Sequence, residues 1–102
     1  MARVFGFGRY YGRRYGGFYG KKFEIYPDYN NYCLVFKIDG TAVAWIDGAV
    51  ASNVFKNTAP VNSEICDMIE IYINDANNRI EFKFDGTTKG YIDNTGTHDG
   101  EP

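Results

Sequence analysis

One histidine, two cysteines and three prolines are all that the 102 residues hold of those types, and each scarcity narrows what the chain can do. The single His98 stands beside Asp99 in a stretch that reads as a polar tail, with no strand to hold it. A general base has to be fixed within hydrogen-bond reach of its proton. Cys33 or Cys66 as a nucleophile needs an activating partner, and that distant histidine is the one candidate. Two cysteines and one histidine do not supply a zinc ligand set. Asp93, Asn94, Asp99 and Glu101 offer oxygen ligands, but their spacing does not fit a twelve-residue calcium loop. The expectation is a protein that is not an enzyme, with no metal or other cofactor and no evident small-molecule substrate.

Long apolar runs are missing as well. No stretch approaches the roughly 18 residues of a membrane span. Glycine and arginine interrupt the N-terminal region throughout, which removes the apolar segment that a signal peptide needs. There is no Asn-x-Ser/Thr acceptor. With no C-x-x-C spacing, Cys33 and Cys66 read as two buried thiols, and a disulfide belongs to the case of an exported chain. The expected location is inside a cell or within a virion, with no membrane partner.

Acid is absent from the first 22 residues. Arg3, Arg9, Arg13, Arg14, Lys21 and Lys22 give that segment a charge of +6, whereas residues 23–102 carry five basic and thirteen acidic residues, net −8. Such a split marks a basic arm on an acidic body. Six glycines, at 6, 8, 12, 16, 17 and 20, make a packed helix or a regular strand an unfavourable expectation for the arm in isolation. Tyr10, Tyr11, Tyr15, Phe18 and Tyr19 are interleaved with its arginines. Guanidinium groups that neutralise phosphates, with aromatic faces that stack on bases, are the means of single-stranded nucleic-acid binding. Six cations predict a salt slope of about −4 on a single strand.

In composition this segment resembles the glycine–arginine–aromatic tails of RNA-binding proteins and the basic arms of small viral coat proteins. The resemblance covers about a fifth of the chain, and no strict Arg-Gly-Gly repeat occurs. A second reading makes the same segment a β-like extension that adds to a neighbouring subunit's sheet, drawn by that subunit's acidic surface. Contact residues in either reading are Arg3, Arg9, Tyr10, Tyr11, Arg13, Arg14, Tyr15, Phe18, Tyr19, Lys21 and Lys22.

From Phe23 the pattern changes to period two. Residues 32–47 read as a hairpin with Asp39-Gly40 at a type I′ tip, which sets Phe36 opposite Val43 and Leu34 opposite Trp45. Both its faces are apolar, as for a central strand pair. Residues 48–63 read equally as a helical turn or a loop. Residues 64–86 carry the clearest alternation. Ile69, Ile71 and Ile73 share a face with Ile80, Phe82 and Phe84, while Glu70, Tyr72, Arg79, Glu81 and Lys83 take the wet face, with Glu70 opposite Lys83. Asp-Gly occurs four times, at 39–40, 47–48, 85–86 and 99–100.

The expected fold is all-β, a small antiparallel sandwich or partly open barrel of about six strands. Residues 1–22 form the arm, 23–93 the β domain and 94–102 a polar tail. Phe23, Ile25, Tyr26, Tyr29 and Tyr32 crowd five large side chains into ten positions, more than a core of this size readily takes, and mark an assembly interface. The function expected is a structural subunit that self-assembles into a homo-oligomer, of the virion, capsid or nucleoprotein-filament kind. Its arm touches nucleic acid or a neighbouring subunit. A small single-stranded nucleic-acid-binding module and an exported fibre or adhesive subunit are the alternatives.

Overall fold

The computed structural model describes residues 22–100 and, as backbone strands, residues 3–7 and 13–15. The chain is all-β, with no helix among the described residues. In chain order the strands are β1 (Arg3–Phe7), β2 (Arg13–Tyr15), β3 (Phe23–Asp28), β4 (Cys33–Ile38), β5 (Thr41–Asp47), β6 (Phe55–Lys56), β7 (Ile69–Asn74), β8 (Arg79–Phe84), β9 (Thr87–Asp93) and β10 (Gly96–Asp99). They form two antiparallel sheets, in the orders β1-β7-β8-β9-β10 and β2-β3-β4-β5-β6. The body has eight strands, four in each sheet, rather than six. The two additions are the brief β6 and β10, which the sequence leaves in a loop and a tail. Residues 48–63 hold no helical turn.

Alternation builds the first sheet as expected. Ile69, Ile71 and Ile73 lie opposite Phe84, Phe82 and Ile80, and Glu70 lies opposite Lys83. From the second sheet Leu34 and Ile46 meet Ile69, Phe82 and Phe84 in a core closed by Tyr29 and Cys66. Burial is graded along the strands. On β8, Phe84 is 1% exposed, Phe82 5% and Ile80 37%, and on β4 Leu34 is 0% exposed and Ile38 45%. The sheets are therefore sealed at the Phe84–Leu34 end and splay towards Ile80 and Ile38.

The Asp39-Gly40 tip is as expected, with both residues at positive φ (51° and 82°), and Asp85-Gly86 repeats it (52° and 84°). The register behind the first tip is not as expected. A bulge shifts the pairing, so Phe36 lies opposite Ala44, Val35 opposite Trp45 and Leu34 opposite Ile46. One inserted residue, Val43, moves Ile46 onto the face of Leu34, so that both enter the core.

Glu81 is a second departure. It is buried on the outer face rather than wet, because Asn74, Arg79 and Thr88 converge on its carboxylate at 2.8, 3.1 and 3.1 Å. Residues 96–99 are a third. They pair with Asp93–Gly90 of β9, so His98 sits on a strand.

Candidate functional site

The arm residues divide into those the structure places and those it does not. Arg3 lies opposite Ile73 on β7. Arg13, Arg14 and Tyr15 lie opposite Ile25, Glu24 and Phe23 on β3. One segment of the arm thus pairs with each sheet, at the outer strand that the body leaves available. Where arm and body meet, the Lys22 N–H donates to the Asp39 carboxylate at 2.8 Å, and the Asp39 N–H donates to the Lys22 carbonyl at 2.8 Å. Arg9, Tyr10, Tyr11, Phe18, Tyr19 and Lys21 lie outside the described residues.

The five residues expected at an assembly interface are not used alike. Tyr29 is a core residue, and Ile25 and Tyr32 pack against that core. Tyr32 stacks on Phe84, centroids 5.8 Å apart. Phe23 and Tyr26 remain exposed, the latter under the Lys37 ammonium at 4.9 Å. Other large apolar side chains are exposed too, among them Val61, Ile65 and Met68 before β7 and Ile38 and Val43 on the β4–β5 hairpin.

The outer face of the first sheet carries a row that crosses four strands: Tyr72, Glu81, Tyr91 and His98 are register neighbours. Lys83 lies over the Tyr72 ring at 4.2 Å and Arg79 over the Tyr91 ring at 4.9 Å. His98 stacks on Tyr91 at 4.7 Å. These contacts occupy the ring faces that a base or a sugar would use. Burial works against ionisation of Glu81, and the bonds from Asn74, Thr88 and Arg79 outweigh it, leaving the carboxyl below its ordinary range.

His98 Nε2 lies 3.0 Å from Asp93 Oδ1 and 2.9 Å from Thr95 Oγ1. A nucleophile relay needs the acid and the hydroxyl on different ring nitrogens. Here both meet the same one. The Thr95 hydroxyl and N–H also donate to Asp93, at 2.6 and 2.8 Å, and these bonds, ahead of the one from His98, hold that carboxyl down to about 2. The cluster ties the β9–β10 turn. Cys33 and Cys66 are buried and are not joined in a disulfide. Burial, then the carboxylates of Asp28 and Asp47, pushes the Cys33 thiol up to about 12, which removes the thiolate that nucleophilic chemistry needs. Among the described residues no three His, Cys, Asp or Glu side chains gather as a metal site. No described helix is long and apolar enough to cross a membrane.

Comparison with family models, with curated proteins and with solved structures finds no match.

The clamps that hold the irregular segments are structural residues that periodicity misses. The buried Asp47 bonds Lys56 at 2.8 Å, the Ala49 N–H at 3.0 Å and the Asn62 amide at 3.1 Å. Asp85 accepts the N–H groups of Asp67 and Met68 at 2.8 and 2.9 Å. Asp99 accepts those of Asn53 and Val54 at 2.7 and 3.0 Å. With Asp39 on Lys22, the aspartate of every Asp-Gly pair accepts a backbone N–H beyond its own pair. The fourfold recurrence of the dipeptide was the available signal.

Between the sheets, beside β6, lies an apolar cleft of about 610 Å³. Its walls include Phe36, Ala44, Trp45 and Phe55 from one sheet and Phe82 and Ile92 from the other.

Proposed function

We propose that the protein is a structural subunit, without catalytic chemistry of its own, that assembles with further copies of itself through the N-terminal arm. The observation that carries this reading is the pairing of Arg3–Phe7 with β7 and of Arg13–Tyr15 with β3. An arm that can supply an edge strand to either sheet can supply it to a neighbour's sheet by the same hydrogen bonds, which is strand addition between subunits. Charge favours the same exchange, since a +6 arm meets a −8 body and opposite patches steer association. The exposed Phe23, Tyr26, Val61, Ile65 and Met68 are apolar surface that an assembly would cover. A virion or an intracellular filament is the setting this reading assigns, and Arg9, Lys21 and Lys22, which lie beyond the paired strands, remain for nucleic acid.

The test is size-exclusion chromatography of the full-length chain at low salt, with absorbance followed at 260 and 280 nm. A large species without excess absorbance at 260 nm is the expected result for subunit-bridging arms. A large species rich in 260 nm absorbance assigns the arm to nucleic acid. A single peak at the 11.6 kDa of one chain overturns the proposal.

A further inference from the structure

The cleft beside β6 is built rather than left over. Its β6 wall is fixed from three directions. Asp99 holds the N–H groups of Asn53 and Val54. The Asp47 N–H donates to the Val54 carbonyl at 2.7 Å, and its carboxylate binds Lys56 at 2.8 Å. Phe55 meets Phe82 edge to face, centroids 5.9 Å apart, and rests over Gly90, where a Cβ would stand 2.8 Å from both the Phe55 ring and the Val54 side chain. The opposite wall belongs to Phe82 and Ile92, on paired strands of the other sheet. Asp99 stands on β10, in the same sheet as Phe82 and Ile92, so its bonds to Asn53 and Val54 tie the two walls at a set spacing that cannot change without breaking them.

Two further properties define an occupant. The volume, about 610 Å³, falls within the range of small-molecule sites, roughly 300–1,000 Å³. Among the described residues the lining is mainly apolar, with four aromatic rings and the uncharged Asn57, and its one charged member, Lys56, is already neutralised by the buried Asp47 carboxylate. An anion entering the cleft would find no free countercharge among these residues and would lose its hydration.

We propose that this cleft binds an uncharged, predominantly apolar small molecule, aromatic or aliphatic, seated between Phe36, Phe55 and Phe82. This goes beyond the assembly reading and does not depend on it.

The experiment is a titration of the full-length protein with the neutral fluorophore N-phenyl-1-naphthylamine. Quenching of Trp45, the one tryptophan in the chain and a lining residue, is read alongside probe emission. Dodecan-1-ol and dodecanoate then compete for the bound probe. Saturable binding of one equivalent is expected. The alcohol should displace the probe at least about ten-fold more effectively than the carboxylate, and Ala44→Leu, which fills the cleft, should weaken probe binding by at least about ten-fold. Ile92→Phe fills it from the other sheet and replaces that variant if Ala44→Leu fails to fold. Absence of saturable binding, or affinity unchanged in a folded filling variant, overturns the proposal. Dodecanoate competing as well as the alcohol overturns the assignment of an uncharged ligand. Binding that appears only when an oligomer is dissociated gives the cleft to a neighbouring copy and likewise overturns it.

Discussion

Asp99, three residues from the end of the chain, accepts the backbone N–H of Asn53 at 2.7 Å and that of Val54 at 3.0 Å. A residue of the last strand thereby fixes the irregular segment that leads into β6 of the other sheet. A carboxylate accepting two backbone N–H groups does what a helix N-cap does, and removing such a cap costs about 0.5–2 kcal/mol. Asp99→Ala should lower the melting temperature by several degrees, about 4–8 °C for each kcal/mol in a domain of this size. Asp99→Asn, which keeps one acceptor oxygen, should recover part of the loss. Calorimetry of the two variants checks this, and equal melting temperatures for Asp99→Ala and the parent would contradict it.

The same carboxylates set the response to acid. Bonds from the N–H groups of Val54 and Asn53 hold Asp99 below the ordinary carboxyl range. Burial opposes the ionisation of Asp47, but hydrogen bonds from Lys56, Ala49 and Asn62 outweigh it and leave that group low as well. Glu81 follows the same pattern. Each group is more acidic folded than unfolded, so the unfolded chain binds more protons through the acid range. The stability these groups contribute is fully present above the unfolded value, near 4, and is lost as pH falls through the lower folded values. Urea midpoints should be flat from about pH 5 to 7 and decline steeply below pH 4. Asp47→Asn should flatten that decline while lowering the plateau, since it leaves Lys56 without its partner.

Much of this architecture is legible in the sequence, and the illegible parts share a cause. The β7–β8 pairing is legible because isoleucine and phenylalanine alternate strictly with Glu70, Tyr72 and Asn74 before a short loop and with Arg79, Glu81 and Lys83 after it, which leaves one register that buries one face. The β4–β5 hairpin has apolar residues on both faces, so periodicity cannot say which set points inwards, and the bulge at Val43 passes unseen. The burial of Glu81 depends on Asn74 and Thr88, which lie on the strands either side of its own. β10 is Gly-Thr-His-Asp, polar throughout, and its strand character comes from the edge of β9 rather than from its own composition. The strands of the arm are hidden for a similar reason. Glycine disfavours them in isolation, and an available sheet edge outweighs that preference. The cleft depends on how the two sheets splay, which no local pattern encodes.

The Cys33 thiol gives a direct measure of how tightly the core is closed. With its thiol pushed up to about 12 and its side chain buried, the native protein should react with iodoacetamide far more slowly than an exposed cysteine does. Both cysteines should label fully in denaturant. Intact mass after a timed pulse reads this directly. Rapid native labelling at Cys33 would show that the core around Leu34 and Asp47 opens readily.

The central claim is that the arm donates its strands to a neighbouring copy, and the pairing of Gly6 with Glu70 allows it to be measured. Directly opposed residues in an antiparallel pair lie within the distance a disulfide can span, about 4.4–6.8 Å between Cα atoms. Full-length Gly6→Cys/Glu70→Cys is prepared unlabelled and uniformly 15N-labelled. The two pools are mixed, disassembled, reassembled at low salt and oxidised, and intact masses are then recorded. Strand donation predicts disulfide-linked species that contain one labelled and one unlabelled chain. Single chains closed by an internal disulfide, with no mixed species, would place the arm on its own sheets alone and contradict the account.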